Sequence, residues 1–584
     1  MSRKQSIFKP EHRGSIAADV DHLNKARDGI ADYDQVVEDA KVATATEQSM
    51  TIREGLRRYP KAIAWSMLLS AAVIMEGFDL VLLGSLYAQD QFNYKYGTVI
   101  DQHGNPQLTS AWQTGLSNGA QVGSIIGLAL NGVLSDRFGY KKTMIGSLII
   151  MICFIFILFF AHNIQMLLAG EILCGIPWGI FQTLTTAYAS EVSPVALRPY
   201  LTAYVNLCWV IGQFIASGVL RGMLDIKGQW AYRLPFALQW VFPVPILIGA
   251  FFAPESPWWE VRRGNLDGAR HMVRRLNTNP TDEFVESQVA MMVHTNALEK
   301  SMSEGTSYWD CFKGVDRRRT MVAMGTWAVQ ALCGSTFMGY STYFLRQAGL
   351  AQENAFNMSL AQYALGFVGT IGAWFLMPHV GRRKIYLYGL CVLFVLLLVI
   401  GCMGFTKGPT YDAAGEIVTR GNTGAQWAIG AMLLIYTAVY DLSVGPVCYS
   451  LVAEVSSTRL RAKTVVLARG LYNVVGIINN VIMPKFLNPT ALNWGAKTGL
   501  FWAGFCLLCV IWTFFCLPEP KGRTYGELDI LFENKVPARL FASTTVDQYA
   551  GHSGHSAPPA GYDKPNVEHN ENGEKELSEK REVV

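Results

Sequence analysis

The sequence has little charge for its length. Asp, Glu, Lys and Arg make up 16% of its 584 residues, whereas hydrophobic residues make up 51%. Soluble domains carry about 25% charged residues, so this composition disfavours a large soluble enzyme. The balance of 49 basic against 45 acidic residues leaves no excess of positive charge for a nucleic-acid partner. The apolar residues are gathered into long runs, which indicates a membrane protein.

The sequence also lacks the motifs of catalytic and cofactor sites. It has no phosphate-binding loop and no nucleophile–base pattern. Cys506 and Cys509 have the spacing of a metal or redox pair, but no second pair or histidine cluster accompanies them. We interpret them as small apolar residues that pack inside a helix. We therefore expect no enzyme, no ATP-driven pump, and no bound cofactor or metal.

We also find no pattern of a cleavable signal peptide. Residues 1–60 are polar and contain no apolar run, so we expect the first hydrophobic helix to direct insertion. Twelve runs follow, each long enough to cross a bilayer, which requires about 20 residues. They cover residues 62–88, 113–134, 143–161, 167–189, 202–222, 232–253, 321–345, 361–380, 385–405, 426–452, 464–487 and 498–517.

These runs predict an all-α membrane protein whose twelve transmembrane helices form two bundles of six. Residues 1–60 are predicted to be a cytosolic tail, and residues 61–253 the first bundle. Residues 254–320 are predicted to be a cytosolic central loop with short amphipathic helices that lie along the membrane face. The second bundle covers residues 321–518, and residues 519–584 form a mostly disordered cytosolic tail.

Basic residues mark one side of the predicted bundles. Arg137 and Lys141 follow the second span, and Arg382 and Arg383 follow the eighth. All four fall on the same side when twelve spans alternate, and the positive-inside rule makes that side the cytosol, together with both termini. We expect a multi-pass protein of the plasma membrane. The opposite side carries a glycosylation sequon at Asn357, and its short loop near the membrane leaves occupancy open.

Matching acid–base sets occur in the two halves. The run GVLSDRFGYKK at 132–142 follows span 2, and the shorter run GRRK at 381–384 follows span 8. A glutamate followed by an arginine stands near the cytosolic ends of spans 4 and 10. Such sets indicate a duplicated six-helix unit. We expect them to form a cytosolic gate whose carboxylates and guanidiniums pair across helices when it is closed. The gate residues are Asp136, Arg137, Glu191, Arg198, Arg382, Arg383, Glu454, Arg459 and Arg461.

Together these elements resemble the sugar-porter branch of the major facilitator superfamily. The run at 132–142 is similar to the superfamily's signature between spans 2 and 3. PESPWW at 254–259 and PEPKGRT at 518–524 resemble the sugar-porter signatures after spans 6 and 12. QALCG at 330–334 is similar to the family's QQLSG, with the second glutamine replaced. The resemblance covers about residues 60–540.

Five further runs resemble fungal α-glucoside permeases of the maltose type. They are LPFALQW at 234–240, GYSTYF at 339–344, LRAKTVVLAR at 460–469, WGAKTG at 494–499 and RTYGEL at 523–528. The resemblance implies uptake of an α-linked disaccharide together with a proton by alternating access. The implied partners are the sugar, protons and the lipid bilayer, and we expect the chain to act as a monomer. A sugar-sensing receptor, a permease for another sugar and an exporter of a small metabolite stay open as alternatives.

Three acidic residues interrupt the apolar runs. Glu76 and Asp79 lie three residues apart on span 1, and Glu171 lies on span 4. An ionised side chain at mid-membrane costs about 2.5–3.5 kcal/mol, so we expect these acids to line the central cavity or to pair with a cation. Loss of water and a like-charged neighbour both favour the protonated carboxyl, which a proton-coupled transporter requires. A structural hydrogen bond from a protonated acid is the alternative.

The resemblance implies that the partner cation is Arg469 on span 11, where the α-glucoside permeases carry an arginine. Many proton-coupled sugar porters instead pair the acid of span 1 with an arginine at the start of span 4, where this chain has Glu171. The same permeases often carry a glutamate on span 2, where Ser124 stands here. Arg469 lies about one and a half turns from Lys463, so snorkelling to the interface is the alternative.

Sugar recognition requires neutral hydrogen-bonding groups beside an aromatic surface. Asn206 and Gln213 lie seven residues apart on span 5 and share one helix face. Gln330 lies on span 7, Tyr449 on span 10 and Asn473 on span 11. By resemblance, Asn206, Gln330 and Tyr449 match positions at which sugar porters hold the pyranose ring. Hydrogen bonding between helices is the alternative for each of these residues.

Overall fold

The computed structural model describes residues 33–100, 105–194, 196–303, 307–406, 410–411, 417–419, 423–457, 460–521, 523 and 525–544. Within these ranges the chain is helical, apart from loops and two short antiparallel hairpins. One hairpin pairs β1 (Val99–Ile100) with β2 (Pro106–Gln107), and the other pairs β3 (Thr410–Tyr411) with β4 (Ile417–Thr419). Most of the tail predicted at 519–584 lies outside the described residues.

Two helices precede the first membrane-spanning segment, and a first group of helices follows them. The leading helices are α1 (Tyr33–Ser49) and α2 (Ile52–Arg58). The first group comprises α3 (Pro60–Ser70), α4 (Val73–Leu86), α5 (Asp90–Tyr96), α6 (Ser110–Phe138), α7 (Tyr140–Phe159), α8 (Ile164–Val192), α9 (Arg198–Gly222), α10 (Trp230–Leu238) and α11 (Pro243–Phe252). A 3₁₀ turn at Gln239–Val241 joins α10 to α11.

A second group of helices begins after a linking segment. The linking segment contains α12 (Pro257–Arg262), α13 (Leu266–Leu276), α14 (Asp282–Ser303) and a 3₁₀ turn at Tyr308–Phe312. The second group comprises α15 (Gly314–Leu332), α16 (Thr336–Gly339), α17 (Ser341–Gln347), α18 (Gln352–Val380), α19 (Arg382–Met403), α20 (Thr423–Leu442), α21 (Val444–Val455), α22 (Arg461–Leu487) and α23 (Thr498–Cys516). A 3₁₀ turn at Gly495–Lys497 precedes α23, and α24 (Tyr525–Glu533) and a 3₁₀ turn at Ala538–Leu540 follow it.

Ten segments of the described chain are long and apolar enough to cross a membrane. They are Pro60–Leu86, Tyr140–Phe159, Ile164–Val192, Tyr200–Gly222, Trp230–Phe252, Gln352–Met377, Arg382–Met403, Gly424–Val455, Lys463–Leu487 and Gly495–Cys516. The other two predicted spans, 113–134 and 321–345, are helical but more polar. The first falls within α6, which carries Gln113 and Asn131 among its buried residues, and the second is interrupted where Gly334 adopts a φ of 100°.

The linking segment forms a small helical layer with its own apolar core. Its core includes Val261 of α12, Val273 of α13, and Val285 and Val289 of α14. Sequence analysis predicted short amphipathic helices in this region, and α13 has that pattern. The layer extends further than predicted, because α1 packs against α14 and adds a cluster of its own. That cluster consists of Ala40, Ala43 and Met291, with Trp258 packed against it.

After the second group, the chain forms one more short helix, α24, and a loop that follows it. Leu528, Leu531 and Phe532 of α24 are buried. The guanidinium of Arg319 lies 5.0 Å from the ring centroid of Phe532, and Arg318 donates to the carbonyl of Val536 at 2.8 Å. The beginning of the tail predicted at 519–584 is therefore attached to α15, because its few apolar residues cover the arginines there.

The two groups contact each other closely at one end of the helices. We call the end that carries Arg137, Arg262 and Arg382 the arginine-rich end, and the other the opposite end. At the opposite end, the hydroxyls of Ser85 and Thr342 lie 2.9 Å apart. Three further contacts join the groups there: Tyr340 donates to Ser117 at 2.7 Å, Arg346 pairs with Asp90 at 2.6 Å, and Gly84 lies directly against the backbone of Gly339. The opposite end is closed.

Glycines allow α6 and α8 to pack with almost no space between their backbones. A Cβ atom at Gly123 would lie 2.1 Å from the carbonyl oxygen of Ile172, and one at Gly179 would lie 2.1 Å from that of Ser124. Small residues at such crossings let transmembrane helices approach closely. The approach also holds Glu171, on α8, at a fixed distance from the helices around it.

We predict that Gly123→Ala destabilises the protein, whereas Gly115→Ala does not. The added methyl group at Gly123 has no space, and overpacking of this kind costs about 1–3 kcal/mol. Gly115 lies on the same helix with nothing within 4 Å of the position that a Cβ would take, so alanine there should be neutral or slightly stabilising. Thermal unfolding of the purified variants in detergent measures the difference. Equal midpoints for the two variants would contradict this packing.

Candidate functional site

Asp79 and Glu171 form a buried pair of carboxyl groups within the first group of helices. Asp79 lies on α4 and is 2% exposed, and Glu171 lies on α8 and is fully buried. The two carboxyl groups are close enough that each contributes directly to the electrostatic environment of the other. Gln239, in the 3₁₀ turn between α10 and α11, donates to Asp79 Oδ1 at 2.7 Å. Within the described residues, no amide or hydroxyl donor reaches either oxygen of Glu171.

Glu76 lies on the same helix as Asp79 but belongs to a second set of contacts. The side-chain amide of Gln182, on α8, donates to Glu76 Oε1. Gln182 Oε1 in turn accepts a hydrogen bond of 2.7 Å from the guanidinium of Arg469, on α22. Oε2 of Glu76 is buried and has no partner among the described residues. These contacts connect the first group of helices with the second.

Arg469 lies against two aromatic rings of the second group. Its guanidinium carbon is 4.7 Å from the ring centroid of Trp327 and 4.7 Å from that of Tyr472. The contacts with α8, α15 and α22 place the side chain among helices rather than toward the membrane surface. Sequence analysis expected Arg469 to pair directly with Glu76 or Asp79. The structure instead interposes Gln182, because the carboxyl of Glu76 and the guanidinium bind opposite ends of one amide group.

The candidate sugar-binding residues fall into two sets. Gln330 and Tyr449 lie close to Trp327: the ring centroids of Trp327 and Tyr449 are 4.8 Å apart, and Tyr449 is 40% exposed. Gln330 donates to the carbonyl of Gly445 at 3.1 Å, and its Oε1 has no partner among the described residues. This set combines aromatic surface with free hydrogen-bonding capacity.

The remaining three sugar-binding candidates are Asn206, Gln213 and Asn473, and they lie outside the set formed by Gln330, Tyr449 and Trp327. Gln213 and Asn473 are buried, with exposures of 1% and 2%, and Asn206 is partly exposed. Nδ2 of Asn473 has no partner among the described residues, and Asn473 lies one turn after Arg469 on α22. Asn473 is therefore on the helix face that carries the central arginine, whereas Asn206 and Gln213 lie on α9.

The gate residues of the first half assemble around the start of α7. Glu191 forms an ion pair of 2.9 Å with Arg262 and accepts from the hydroxyl of Tyr140 at 2.9 Å. Arg262 belongs to the linking segment and was not among the predicted gate residues. Arg198, which was predicted to belong to this set, does not pair with Glu191, and its Nε has no partner within the described chain.

Backbone carbonyls of two predicted gate residues, Asp136 and Arg137, also accept hydrogen bonds from the linking segment. The carbonyl of Asp136 accepts from Trp259 Nε1 at 3.1 Å, and that of Arg137 accepts from Arg263 at 3.1 Å. Glu255 accepts from the backbone N–H groups of Tyr140 and Lys141. Burial raises the pKa of the Glu255 carboxyl, and these backbone donors oppose that shift. The carboxylate thus caps the first turn of α7 in the position that the helix dipole favours.

The second half repeats this arrangement. Arg382 pairs with Glu454 at 3.0 Å, and Glu519 accepts from the backbone N–H groups of Arg382 and Arg383 at the start of α19. Gly381 has a φ of 97°, and its counterpart Gly139 has a φ of 88°. The side chain of Arg383 donates to the carbonyl of Leu517 at 2.7 Å. Arg459 lies outside the described residues, and Arg461 is the first residue of α22.

Several polar residues of the site were not identified from the sequence. Gln182 and Gln239 hold the acids, and Trp327 and Tyr472 hold Arg469. Gln239 lay within a run quoted for the family resemblance but was given no role. A signal was available, because each glutamine interrupts a long apolar run of the sequence. A neutral amide is, however, common at contacts between transmembrane helices and does not distinguish a functional site by itself.

Comparisons with known proteins agree on one class. The family model described as "Sugar (and other) transporter" matches residues 65–532. The chain is 41% identical over 523 residues to a maltose permease of Saccharomyces cerevisiae, which covers 88% of this chain and 83% of the permease. It is 41% identical over 568 residues to a general alpha-glucoside permease of the same yeast, which covers 94% of this chain and 90% of that protein.

Solved structures show the same fold. The proton:xylose symporter XylE of the major facilitator superfamily, bound to a bromodeoxyglucose, superimposes with a TM-score of 0.63 at 17% sequence identity. The match covers 81% of this chain and 99% of the symporter. The inward-open conformation of XylE from E. coli gives a TM-score of 0.63, with coverage of 80% and 99%.

Proposed function

The chain belongs to the sugar transporter family, within the major facilitator superfamily, and on this basis we propose that it takes up an α-glucoside such as maltose together with a proton. It is a multi-pass membrane transporter of sugars rather than an enzyme, as its composition and motifs predicted. The sugar, the proton coupling and the residues that carry them are the parts that we propose.

The α-glucoside class is supported by sequence similarity along nearly the whole chain. The two yeast relatives are named for maltose and for alpha-glucosides, and each shares 41% identity. Gln330 offers an unpaired amide oxygen beside the rings of Trp327 and Tyr449. Aromatic rings can stack on the apolar face of a pyranose while neutral amides bind its hydroxyls. We propose this surface as the sugar site, with Asn473 beside it and Asn206 and Gln213 contributing from α9.

Proton coupling is supported above all by the contact between Asp79 and Glu171. Ionised carboxylates only accept hydrogen bonds, so two carboxyl groups can bond to each other only when one of them is protonated. Both groups are buried, where a lone charge is costly, and only Asp79 receives a donor from Gln239. We propose that the pair holds one proton, with the charge resting mainly on Asp79. The pair then titrates as a unit rather than as two independent acids.

Glu76 and Arg469 are proposed to connect the proton site with the moving interface. Oε2 of Glu76 is unpaired, so this oxygen can take a proton while Oε1 keeps its bond to Gln182. Neutralising Glu76 weakens the hold of Gln182 on Arg469, which belongs to the other group of helices. A protonation change in one group thereby alters the energy of its contact with the other, as alternating access requires.

We propose that the two groups are six-helix bundles, at residues 61–253 and 321–518, with twelve spans in all. The more polar α6 and α15 complete the count, since both pack against other helices and bury several of their polar residues. The arginine-rich end is proposed to face the cytosol together with both termini, and the protein to act as a monomer in the plasma membrane. The pairs Glu191–Arg262 and Glu454–Arg382, each formed within one half of the chain, are proposed to belong to the inner gate.

We predict that Asp79→Asn abolishes sugar-driven proton uptake. The change removes the carboxylate that Gln239 and Glu171 bind, and an amide cannot share the proton. The measurement is uptake of labelled maltose, sucrose and D-xylose in a transporter-null cell, with and without an uncoupler, together with the alkalinisation of the medium. The wild type should take up maltose, lose accumulation with uncoupler and alkalinise the medium.

The control is Asp225→Asn, which changes an acid in the loop at the opposite end and should behave as the wild type. Undiminished alkalinisation by Asp79→Asn at matched surface expression would remove Asp79 from the coupling mechanism. Uptake of D-xylose without uptake of maltose or sucrose would contradict the α-glucoside assignment.

We predict that Arg469→Ala and Gln182→Leu both reduce maltose uptake by about tenfold or more. Each removes one side of the hydrogen bond between Arg469 and Gln182 and leaves the other side buried without it, and a hydrogen bond to a charged group contributes about 1.5–3 kcal/mol. Arg469→Lys should keep part of the activity, because lysine supplies the charge without the planar fork. Uptake against external pH, at matched surface expression, is the measurement. Gln165→Leu, an exposed glutamine on the same helix as Gln182, is the control. Wild-type uptake by Gln182→Leu would show that the bridge has no role in transport.

We propose that the sequon at Asn357 is not glycosylated. Asn357 lies on α18, and its Oδ1 accepts from Arg221 Nε at 2.6 Å, while Ser359 of the sequon is 1% exposed. A helical sequon with a buried serine is a poor acceptor for a bulky glycan. We predict that treatment with an N-glycosidase leaves the electrophoretic mobility of the expressed protein unchanged and equal to that of Asn357→Gln. A shift in the wild type alone would contradict this.

A further inference from the structure

A cavity of about 330 Å³ lies at the arginine-rich end, away from the central site. It is a partly open cavity that lies where α1, α13 and α14 pack against the end of α8. Residues at its wall include Glu47 of α1, Tyr59 before α3, Glu191 of α8, Trp258 of α12 and Gln288 of α14. Its volume is within the range of about 300–1,000 Å³ that small-molecule sites occupy.

Three deeply buried side chains present unpaired polar atoms at the wall of this cavity. They are Tyr59, Asn277 and Gln288, whose exposures are 5%, 3% and 4%. The hydroxyl of Tyr59, Oδ1 of Asn277 and Nε2 of Gln288 have no hydrogen-bond partner within the described residues. Buried polar atoms in native proteins nearly always have a partner, so these three groups have unused capacity to bond to an occupant of the cavity.

The chemistry of the wall indicates a neutral, hydroxylated molecule. Tyr59 can donate or accept, Gln288 offers a donor and Asn277 an acceptor. The wall carries charges of both signs, because Glu47, Glu191 and Arg198 all line it, and Glu191 is also paired with Arg262 outside the cavity. An anion would meet the carboxylates and a cation would meet the arginine. The space equals that of about eleven water molecules at about 30 Å³ each, which accommodates a monosaccharide.

We propose that this cavity is a second binding site, for a small neutral polyhydroxylated solute of monosaccharide size. Its occupant bonds α14 through Gln288, the start of α3 through Tyr59 and the end of α13 through Asn277. Binding therefore fastens the helical layer to the end of α8, where Glu191 belongs to the proposed inner gate. The assignment rests on the cavity alone and holds whatever sugar the central site transports.

Hydrogen exchange of the full-length protein in nanodiscs tests the site, because it localises binding along the chain. The probes are D-glucose and glucose 6-phosphate. D-glucose should slow exchange in peptides from 33–49 and 282–303, and glucose 6-phosphate should have little effect on them. Gln288→Leu should raise the concentration of D-glucose that gives half-maximal protection by about tenfold, because a lost hydrogen bond to a ligand typically weakens binding by about this factor. Thr295→Phe, which fills the cavity, should abolish the effect.

The control is Glu283→Gln, an exposed position on the same helix, which should respond as the wild type. Peptides that contain Trp327 and Arg469 report separately on the central site and should respond equally in all variants. The proposal is overturned if D-glucose leaves the α1 and α14 peptides unchanged in the wild type. It is also overturned if glucose 6-phosphate protects them better than D-glucose, or if Thr295→Phe retains full protection while eluting as a monodisperse protein.

Discussion

Two carboxyl groups that are buried against each other in a membrane cannot both be ionised, and the helices around Asp79 and Glu171 are arranged to meet this constraint. Gln239 satisfies one oxygen of Asp79, while Glu171 has no donor within the described residues. The close packing of α6 on α8 keeps Glu171 in place, since glycines remove the space in which the helix could shift. The same helix carries Gln182, so one rigid element positions both sets of contacts.

The second set of contacts, formed by Glu76, Gln182 and Arg469, joins the two groups of helices. Arg469 is a permanent charge, and a direct ion pair with Glu76 would hold the two groups of helices together strongly. Gln182 between them gives each charge a hydrogen bond without bringing the charges into contact. The rings of Trp327 and Tyr472 stabilise the guanidinium from its faces. A link of this strength can be made and broken in a transport cycle.

The sequence predicted the membrane class and the family, and it drew attention to Glu76, Asp79, Glu171 and Arg469, because a charge within an apolar run is costly and therefore conspicuous. It did not identify Gln182, since a neutral amide has many structural uses in a membrane helix. The predicted gate missed Arg262, which lies in the linking segment and reaches Glu191 only through the fold. The sequence predicts tails where α1 and α24 form, because the contacts of α1 with α14 and of α24 with α15 depend on a few apolar residues in otherwise polar stretches.

The placement of the site residues on the two groups has a consequence for how such a chain can change over time. Asp79 and Glu171 both lie in the first group, whereas Gln330, Trp327 and Tyr449 lie in the second. Under the roles proposed, the carboxyl pair that holds the proton and the aromatic surface of the sugar site are encoded by separate stretches of the chain. Substitutions around Tyr449 can then alter which sugar is carried while the carboxyl pair is left intact. A gene that is duplicated can acquire a new nutrient without having to evolve its ion dependence again.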